Sequence, residues 1–363
     1  MKKLLSILLL TSFSLASYAG GHAMSDNGHS AMSSAKSSSG VHFYGRMYVG
    51  YDDRQVGSGS ADDESLEDGG NKSRLGLKFK ENLGGGLQLI GQLEYKFDGI
   101  DGTSEDNTTD CNATDDCRTF NLHVGNLGFK TAYGYIGAGT YETPYKTMGQ
   151  FDHNIDTAWA MNQHGATSTG NAGIDGNAEG MIAYHNQMGP LELSYMVAVN
   201  DSTPAANVTN NANTNQGDYA MGLQLKDMFM PGLVIGYSRG HSQNNGTSND
   251  RFYASMKVLP NAGVFVSLED LQVDGSYSNI SGAQGDVTTI GTHYSMGSTD
   301  LQVVYAKGDA DGTDATQDYK TLGLSAKMNL SKTSDLTFGY AKQDFDSTGS
   351  DVTTRGIGLT HRF

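Results

Sequence analysis

Long hydrophobic runs are scarce in this sequence, and their absence excludes one class of structure. After the apolar run near the start, no stretch approaches the roughly 18 uninterrupted apolar residues that a membrane-spanning helix needs. We therefore expect no transmembrane helix. A membrane location remains compatible with the sequence, because a closed β-barrel needs only every second residue of each strand to be apolar.

Basic residues are also scarce. The chain has 24 Lys and Arg against 40 Asp and Glu, which gives a formal net charge of −16. We expect no nucleic-acid partner, because nucleic-acid recognition requires a basic face. We also expect no cofactor and no metal. The acidic segments match no EF-hand spacing, so solvated loops are preferred over the alternative that they hold divalent cations.

The start of the chain, MKKLLSILLLTSFSLASYAG, has the pattern of a secretory signal peptide. Lys2 and Lys3 form a positive region, Leu4–Leu15 is a short apolar run, and Ser17–Ala19 provides the small residues of a cleavage site. We predict that residues 1–19 are removed and that the mature protein is exported.

Only two cysteines are present, Cys111 and Cys117 in DCNATDDC, and their spacing excludes a CxxC redox motif. An exported chain meets an oxidising compartment, so we expect a local disulfide that ties down a loop. A metal pair completed by the intervening aspartates is the weaker alternative.

Residues 20–40 are rich in Gly, Ser, Ala and His without any period, which predicts a flexible segment. The pairs His22–Met24 and His29–Met32 leave a soft metal such as copper as an alternative. A solvated spacer is the preferred interpretation.

From Val41 to the end of the chain, apolar and polar residues alternate with a period of two, as in strands with one apolar face. The alternation predicts about 16 strands, near residues 41–54, 73–83, 86–98, 118–131, 134–146, 178–188, 191–201, 217–228, 232–241, 250–259, 263–274, 286–297, 299–310, 317–330, 335–346 and 352–363. Phe120, Leu122 and Val124 are out of phase with Leu127 and Phe129, which predicts a β-bulge.

The connections between these strands alternate between short and long. In an antiparallel meander this alternation places all short turns at one end, as in outer-membrane barrels. We predict one domain over residues 41–363, an all-β transmembrane antiparallel up-and-down β-barrel. A barrel of about 16 strands is too wide for side chains to fill, so it leaves an aqueous channel. A soluble β-sandwich is a rival, and it would need a second sheet to cover the apolar faces.

Three stretches together resemble the general outer-membrane porins of Gram-negative bacteria: FYGRMYVGYD, SRLGLKFKENLGGGLQLIGQLEYKF and RGIGLTHRF. The resemblance covers roughly residues 41–363. It implies an outer-membrane homotrimer of 16-stranded barrels, with passive diffusion of small hydrophilic solutes and no enzymatic activity. It also implies contact with lipid and lipopolysaccharide, and folding by the barrel-assembly machinery.

The resemblance further implies that a long loop, here within residues 147–180, folds into the barrel and narrows it. Basic residues on one wall then face carboxylates on the loop, and the transverse field between them orients dipolar solutes. The residues matched to the basic wall are Arg46, Arg74 and Arg118. The loop carboxylates are Asp152 and Asp156. Further candidates for the lumen are Lys78, Glu94 and His123.

The last strand carries Ile357, Leu359, His361 and Phe363 on one face, which we expect to face lipid. Pairing with the strand that starts at Val41 would close the barrel and remove both edges. The resemblance implies that Phe363, His361 and Leu359 also form a signal for barrel assembly.

Two questions of function stay open at the level of sequence. The negative net charge favours cations at the channel mouth. Tyr44 and Tyr48 on the polar face leave room for a channel specific for a sugar or another nutrient. An outer-membrane barrel enzyme is less favoured, because no Ser/His/Asp set stands out at a strand end.

Overall fold

The computed structural model of the protein describes residues 39–57, 63–67, 73–97, 99–100, 120–152, 154, 157–161, 176–199, 217–242, 246–273, 285–310, 318–346 and 351–363. The predicted signal peptide, nearly all of segment 20–40, Cys111 and Cys117 lie outside these ranges. Within them, no helix is long and apolar enough to cross a membrane.

The described residues form strands almost throughout. The strands are β1 Gly40–Val56, β2 Asp63–Glu67, β3 Arg74–Gly84, β4 Leu87–Lys96, β5 Asn121–Thr131, β6 Gly134–Glu142, β7 Asn177–Met188, β8 Leu191–Ala198, β9 Tyr219–Lys226, β10 Leu233–Ser242, β11 Thr247–Leu259, β12 Ala262–Val273, β13 Gly285–Met296, β14 Thr299–Ala310, β15 Tyr319–Asn329, β16 Ser334–Phe345 and β17 Val352–Arg362. A short helix, α1 Pro144–Thr147, follows β6.

These strands close into one antiparallel barrel. From β3 to β17 each strand pairs with the next one along the chain, and β17 pairs back with β1 through Arg46↔Arg362 to Val56↔Val352. On its other side, β1 pairs with β3 over Gly40–Arg46 and with β2 over Gly50–Arg54. Because β2 and β3 share one place beside β1, the seventeen strands occupy sixteen positions. The predicted fold class and strand number are confirmed.

Two elements differ from the sequence prediction. The strand predicted to reach residue 146 ends at Glu142, because Thr143 caps α1 and Pro144 stands at its first turn, where no strand N–H is available. The Oγ1 atom of Thr143 accepts a hydrogen bond from the Lys146 N–H at 3.3 Å. The second difference is β2, which lies in a segment predicted to be a loop and extends the pairing of the 17-residue β1.

The predicted β-bulge is present in β5. Glu94 pairs with Val124 and Tyr95 pairs with Leu122, so His123 is the extra residue between them. His123 and Val124 are both buried. The bulge therefore changes which alternate residues of β5 face inward, which explains the change of phase in the sequence.

The outer face of the barrel is apolar over its middle and becomes acidic toward the ends with long connections. In β1 the exposed apolar residues are those of the predicted lipid face, Val41, Phe43, Met47, Val49 and Tyr51. A row of directly paired outward residues on β11–β14 follows toward the rim, comprising Asp250, Asp270, Asp286 and Asp309. Carboxylates are costly in hydrocarbon, so this row marks the end of the lipid-facing band.

The last residues of the chain complete the seam between β17 and β1. The N–H and C=O groups of Phe363 exchange hydrogen bonds with Gly45 at 3.1 and 3.0 Å. The ring of Phe363 covers Gly45, where a Cβ atom would come within 2.5 Å of it, and lies 6.1 Å from the ring of Phe43. The predicted closing strand is confirmed.

Candidate functional site

The segment after β6 folds along the inside of the barrel. We call residues 143–161 the inner loop; residues 153, 155 and 156 within it lie outside the described ranges. It begins with α1, which packs against β9 and β10. Phe151 then stacks on Phe265 of β12 at 4.7 Å, and its carbonyl accepts a hydrogen bond from Gln302 of β14 at 2.5 Å.

The far part of the inner loop packs on glycines of β15, β16 and β17. The indole of Trp159 lies over Gly339 of β16 and Gly356 of β17, and Met161 lies over Gly323 of β15. A Cβ atom at Gly339 would overlap the indole, so only glycine allows this approach. The inner loop therefore follows the wall from β9 to β17.

The start of the inner loop is held by a buried cluster on β11 and β12. Arg251 and Glu269 are directly paired, and Nε of Arg251 lies 3.1 Å from Oε1 of Glu269, with both side chains 0 % exposed. Arg251 donates hydrogen bonds to the carbonyls of Tyr145 at 2.7 Å and Met148 at 3.3 Å. The Tyr145 hydroxyl donates to Oε2 of Glu269 at 2.7 Å.

Beyond the contact of Trp159 with Gly356, the wall formed by the end of β17 and by β1, β3 and β4 carries basic residues in register. Arg362 pairs with Arg46, Arg46 with Arg74, and Arg74 with Lys96, across β17, β1, β3 and β4. All four face inward, since they alternate with exposed apolar residues. We call these four residues the basic row. Like charges at such spacing repel one another, so the row depends on nearby carboxylates.

Glu94 is the carboxylate at the centre of this wall. It lies 3.3 Å from Nη1 of Arg74 and accepts a hydrogen bond from the Tyr44 hydroxyl at 2.7 Å. Its Oε1 atom is 2.6 Å from Nδ1 of His123. Lys78 lies over the Tyr44 ring at 4.9 Å. The structure thus brings Arg74, Lys78, Glu94 and His123 into one network.

A second carboxylate links this wall to the inner loop. Glu142 lies 3.7 Å from Nε2 of His123 and 2.9 Å from Nζ of Lys146 in α1. Lys146 also donates to Oδ1 of Asn177 at 2.9 Å, and Asn177 donates to the His123 carbonyl at the same distance. The β5 bulge places His123 between the two carboxylates.

The predicted loop carboxylate Asp152 has a different environment from the one expected. It is buried, and its carboxylate accepts hydrogen bonds from the N–H groups of Asn154 at 2.8 Å and Met161 at 2.6 Å. These contacts hold the inner loop in shape, and the role of Asp152 in a constriction stays a prediction. Asp156 and Arg118 lie outside the described residues.

Four residues of this site were not singled out from the sequence: Lys96, Arg362, Arg251 and Glu269. Alternation places all four on the polar face. It also places all remaining charged residues of the lumen on that face, so it does not single these four out. Arg251 contacts Tyr145, which is 106 positions away in the sequence. A contact between residues so far apart in the sequence cannot be predicted from a local sequence pattern.

A closed barrel with an apolar outer face, a charged inner face and a loop along its inner wall has the architecture of a membrane channel. The chain belongs to the Gram-negative porin family, whose model matches residues 13–363. It is an outer-membrane channel for small solutes, and the family and fold indicate a passive channel rather than an enzyme.

Relatives and solved structures of the same fold agree with this assignment. Major outer membrane protein P.IB of Neisseria meningitidis serogroup B is 25 % identical over 355 residues, covering 89 % of this chain and 94 % of the relative. An anion-selective porin from Comamonas acidovorans has a TM-score of 0.66 at 17 % identity, covering 90 % of this chain and 100 % of the other. The trimer form of OmpT from Vibrio cholerae has a TM-score of 0.59 at 13 % identity, with coverage of 90 % and 100 %.

Proposed function

We propose that the protein lets small hydrophilic solutes and ions diffuse passively through a narrow section between the inner loop and the charged wall of β1–β6. One observation carries this proposal: the described inner loop lies against β9–β17 as far as Gly356, while the basic row, Glu94 and His123 line the part of the wall that adjoins it, from the end of β17 to β5. Charges on such a wall orient dipolar solutes and raise the cost of passage for apolar ones.

A swelling assay on proteoliposomes tests this function directly. Sugars of increasing size are offered to vesicles that contain the protein, and the swelling rates are compared. Diffusion through a water-filled pore predicts rates that fall smoothly with solute size. Rapid uptake of one sugar with exclusion of its isomers would instead indicate a substrate-specific channel.

We further propose a moderate preference for cations. The net charge is −16, and long connections such as SADDESLED and DNTTDCNATDDC are acidic, so they attract cations to the mouth. Within the pore the basic row repels cations, so we expect the preference for cations to be small. Reversal potentials in a salt gradient measure the net selectivity for cations over anions, and an anion preference would reject the proposal.

We also propose that the protein assembles as a homotrimer in contact with lipid and lipopolysaccharide. The fold is shared with a porin whose structure is a trimer form, that of OmpT from Vibrio cholerae. Electrophoresis of unheated and heated detergent extracts tests the assembly. A single monomer-sized band in the unheated sample, supported by light scattering, would contradict it.

A further inference from the structure

We propose that Arg251, held in place by Glu269, is the positioning residue that fixes the inner loop against the pore wall and so sets the open cross-section of the channel. This inference rests on the proposed function of the pore. It concerns two residues of β11 and β12 that lie on the side of the barrel opposite the basic row.

The contacts of Arg251 are directed at the loop. Its guanidinium donates to two carbonyls at the start of the inner loop, those of Tyr145 and Met148, and lies 4.2 Å from the centre of the Tyr145 ring. Strands β11 and β12 need no such link, because their backbones are paired along nearly their whole length, from Thr247↔Val273 to Leu259↔Ala262. The side chain therefore connects the loop to the wall.

Glu269 makes this connection rigid. It balances the charge of Arg251 at 3.1 Å and accepts the Tyr145 hydroxyl at 2.7 Å, so the two wall residues and the loop tyrosine form a closed triangle of contacts. An arginine buried without a carboxylate would carry a large desolvation cost. The planar guanidinium of Arg251 also holds the carbonyls of Tyr145 and Met148 in fixed directions, and a lysine side chain would not reproduce this geometry.

The loop position follows from this attachment. Beyond Met148 the chain continues to Phe151 on β12, Trp159 on β16 and β17, and Met161 on β15. Trp159 is the only tryptophan of the protein, so its fluorescence reports the docking of the loop without any label. Its indole is 1 % exposed when the loop is docked.

The test compares an inward and an outward ion pair on neighbouring strands. The variant Arg251→Met with Glu269→Leu removes the loop attachment, and replacing a buried ion pair by apolar residues often leaves stability unchanged. The control is Arg239→Met with Asp250→Leu, whose side chains pair at 2.8 Å on the outer face and do not contact the loop. Each is measured as purified, unheated protein in planar bilayers.

For the inward variant we expect a severalfold increase in open-channel current noise, an altered mean conductance and stronger acrylamide quenching of Trp159. The control should match the wild type in all three, and both variants should keep the wild-type heat-dissociation temperature. Unchanged noise, conductance and quenching in the inward variant would overturn the proposal. If that variant does not assemble, Tyr145→Phe, which keeps the Arg251–Glu269 pair and removes only the hydroxyl bond from the loop to Glu269, decides by the same readouts. Absence of conductance in the wild type would instead reject the proposed function.

Discussion

At the scale of single residues, Glu94 balances the basic wall. Its carboxylate contacts Arg74, Tyr44 and His123, while the basic row supplies four cations across adjacent strands. Removal of this one negative charge leaves the wall more positive without changing the shape of the side chain. The residue therefore has a larger effect on ion selectivity than its single charge would have in open water.

We predict that Glu94→Gln shifts the reversal potential in a salt gradient toward anions. The control is Glu81→Gln, which makes the same change of charge on the outward face of β3. The control should leave the reversal potential unchanged. Equal shifts in both variants would show that net charge alone, and not the wall, determines selectivity.

Gly339 determines how closely the inner loop approaches the wall. We predict that Gly339→Ala displaces the Trp159 indole, because the added Cβ atom would overlap it. The emission maximum of Trp159 should move to longer wavelength, with a loss of about 1–3 kcal/mol in stability from overpacking. Gly40→Ala is the control, since a Cβ atom there meets nothing within 4 Å. An unchanged emission spectrum for Gly339→Ala would contradict the packing of Trp159 on β16.

At the scale of secondary-structure elements, alternation of apolar and polar residues predicted the strands well. It succeeds because lipid on one side and water on the other impose opposite requirements on successive residues. It failed for β2 and α1. The pairing of β2 depends on the unusual length of β1, and α1 depends on the cap at Thr143, and neither produces a period of two.

The candidate site was predictable only in part, because alternation shows which face a residue lies on and not which residues it contacts. Alternation identified Arg46, Arg74, Lys78 and Glu94 as inward residues. It did not identify which inward residues contact one another, because register between strands and the path of the inner loop decide that. Asp152 illustrates the limit, since a carboxylate on the loop binds the loop's own backbone.

The closing strand provides a prediction at this scale. Changing Phe363, which is 51 % exposed, to Asp removes the ring that covers Gly45 and places a charge on the outer face of the barrel. We expect less assembled trimer in the outer membrane, both because the seam is weakened and because the proposed assembly signal is lost. Phe229→Asp is the control, an exposed phenylalanine in the short connection between β9 and β10. Equal amounts of heat-modifiable trimer in wild type and Phe363→Asp would contradict the prediction.

At the scale of the whole molecule, charge is divided between regions. The outward rim and the long connections are acidic, whereas the inner wall of β1, β3 and β4 carries the basic row. We propose that this division of charge lets a chain of net charge −16 favour cations at entry while its inner wall orients dipolar solutes.

The most direct test of the central claim is the single-channel conductance of the detergent-extracted, unheated protein in a planar bilayer with a salt gradient. A water-filled trimeric pore predicts stepwise openings in groups of three, with conductance proportional to salt concentration and a reversal potential of cationic sign. A bilayer that stays closed, or a conductance that saturates and is blocked by one class of solute, would contradict the account.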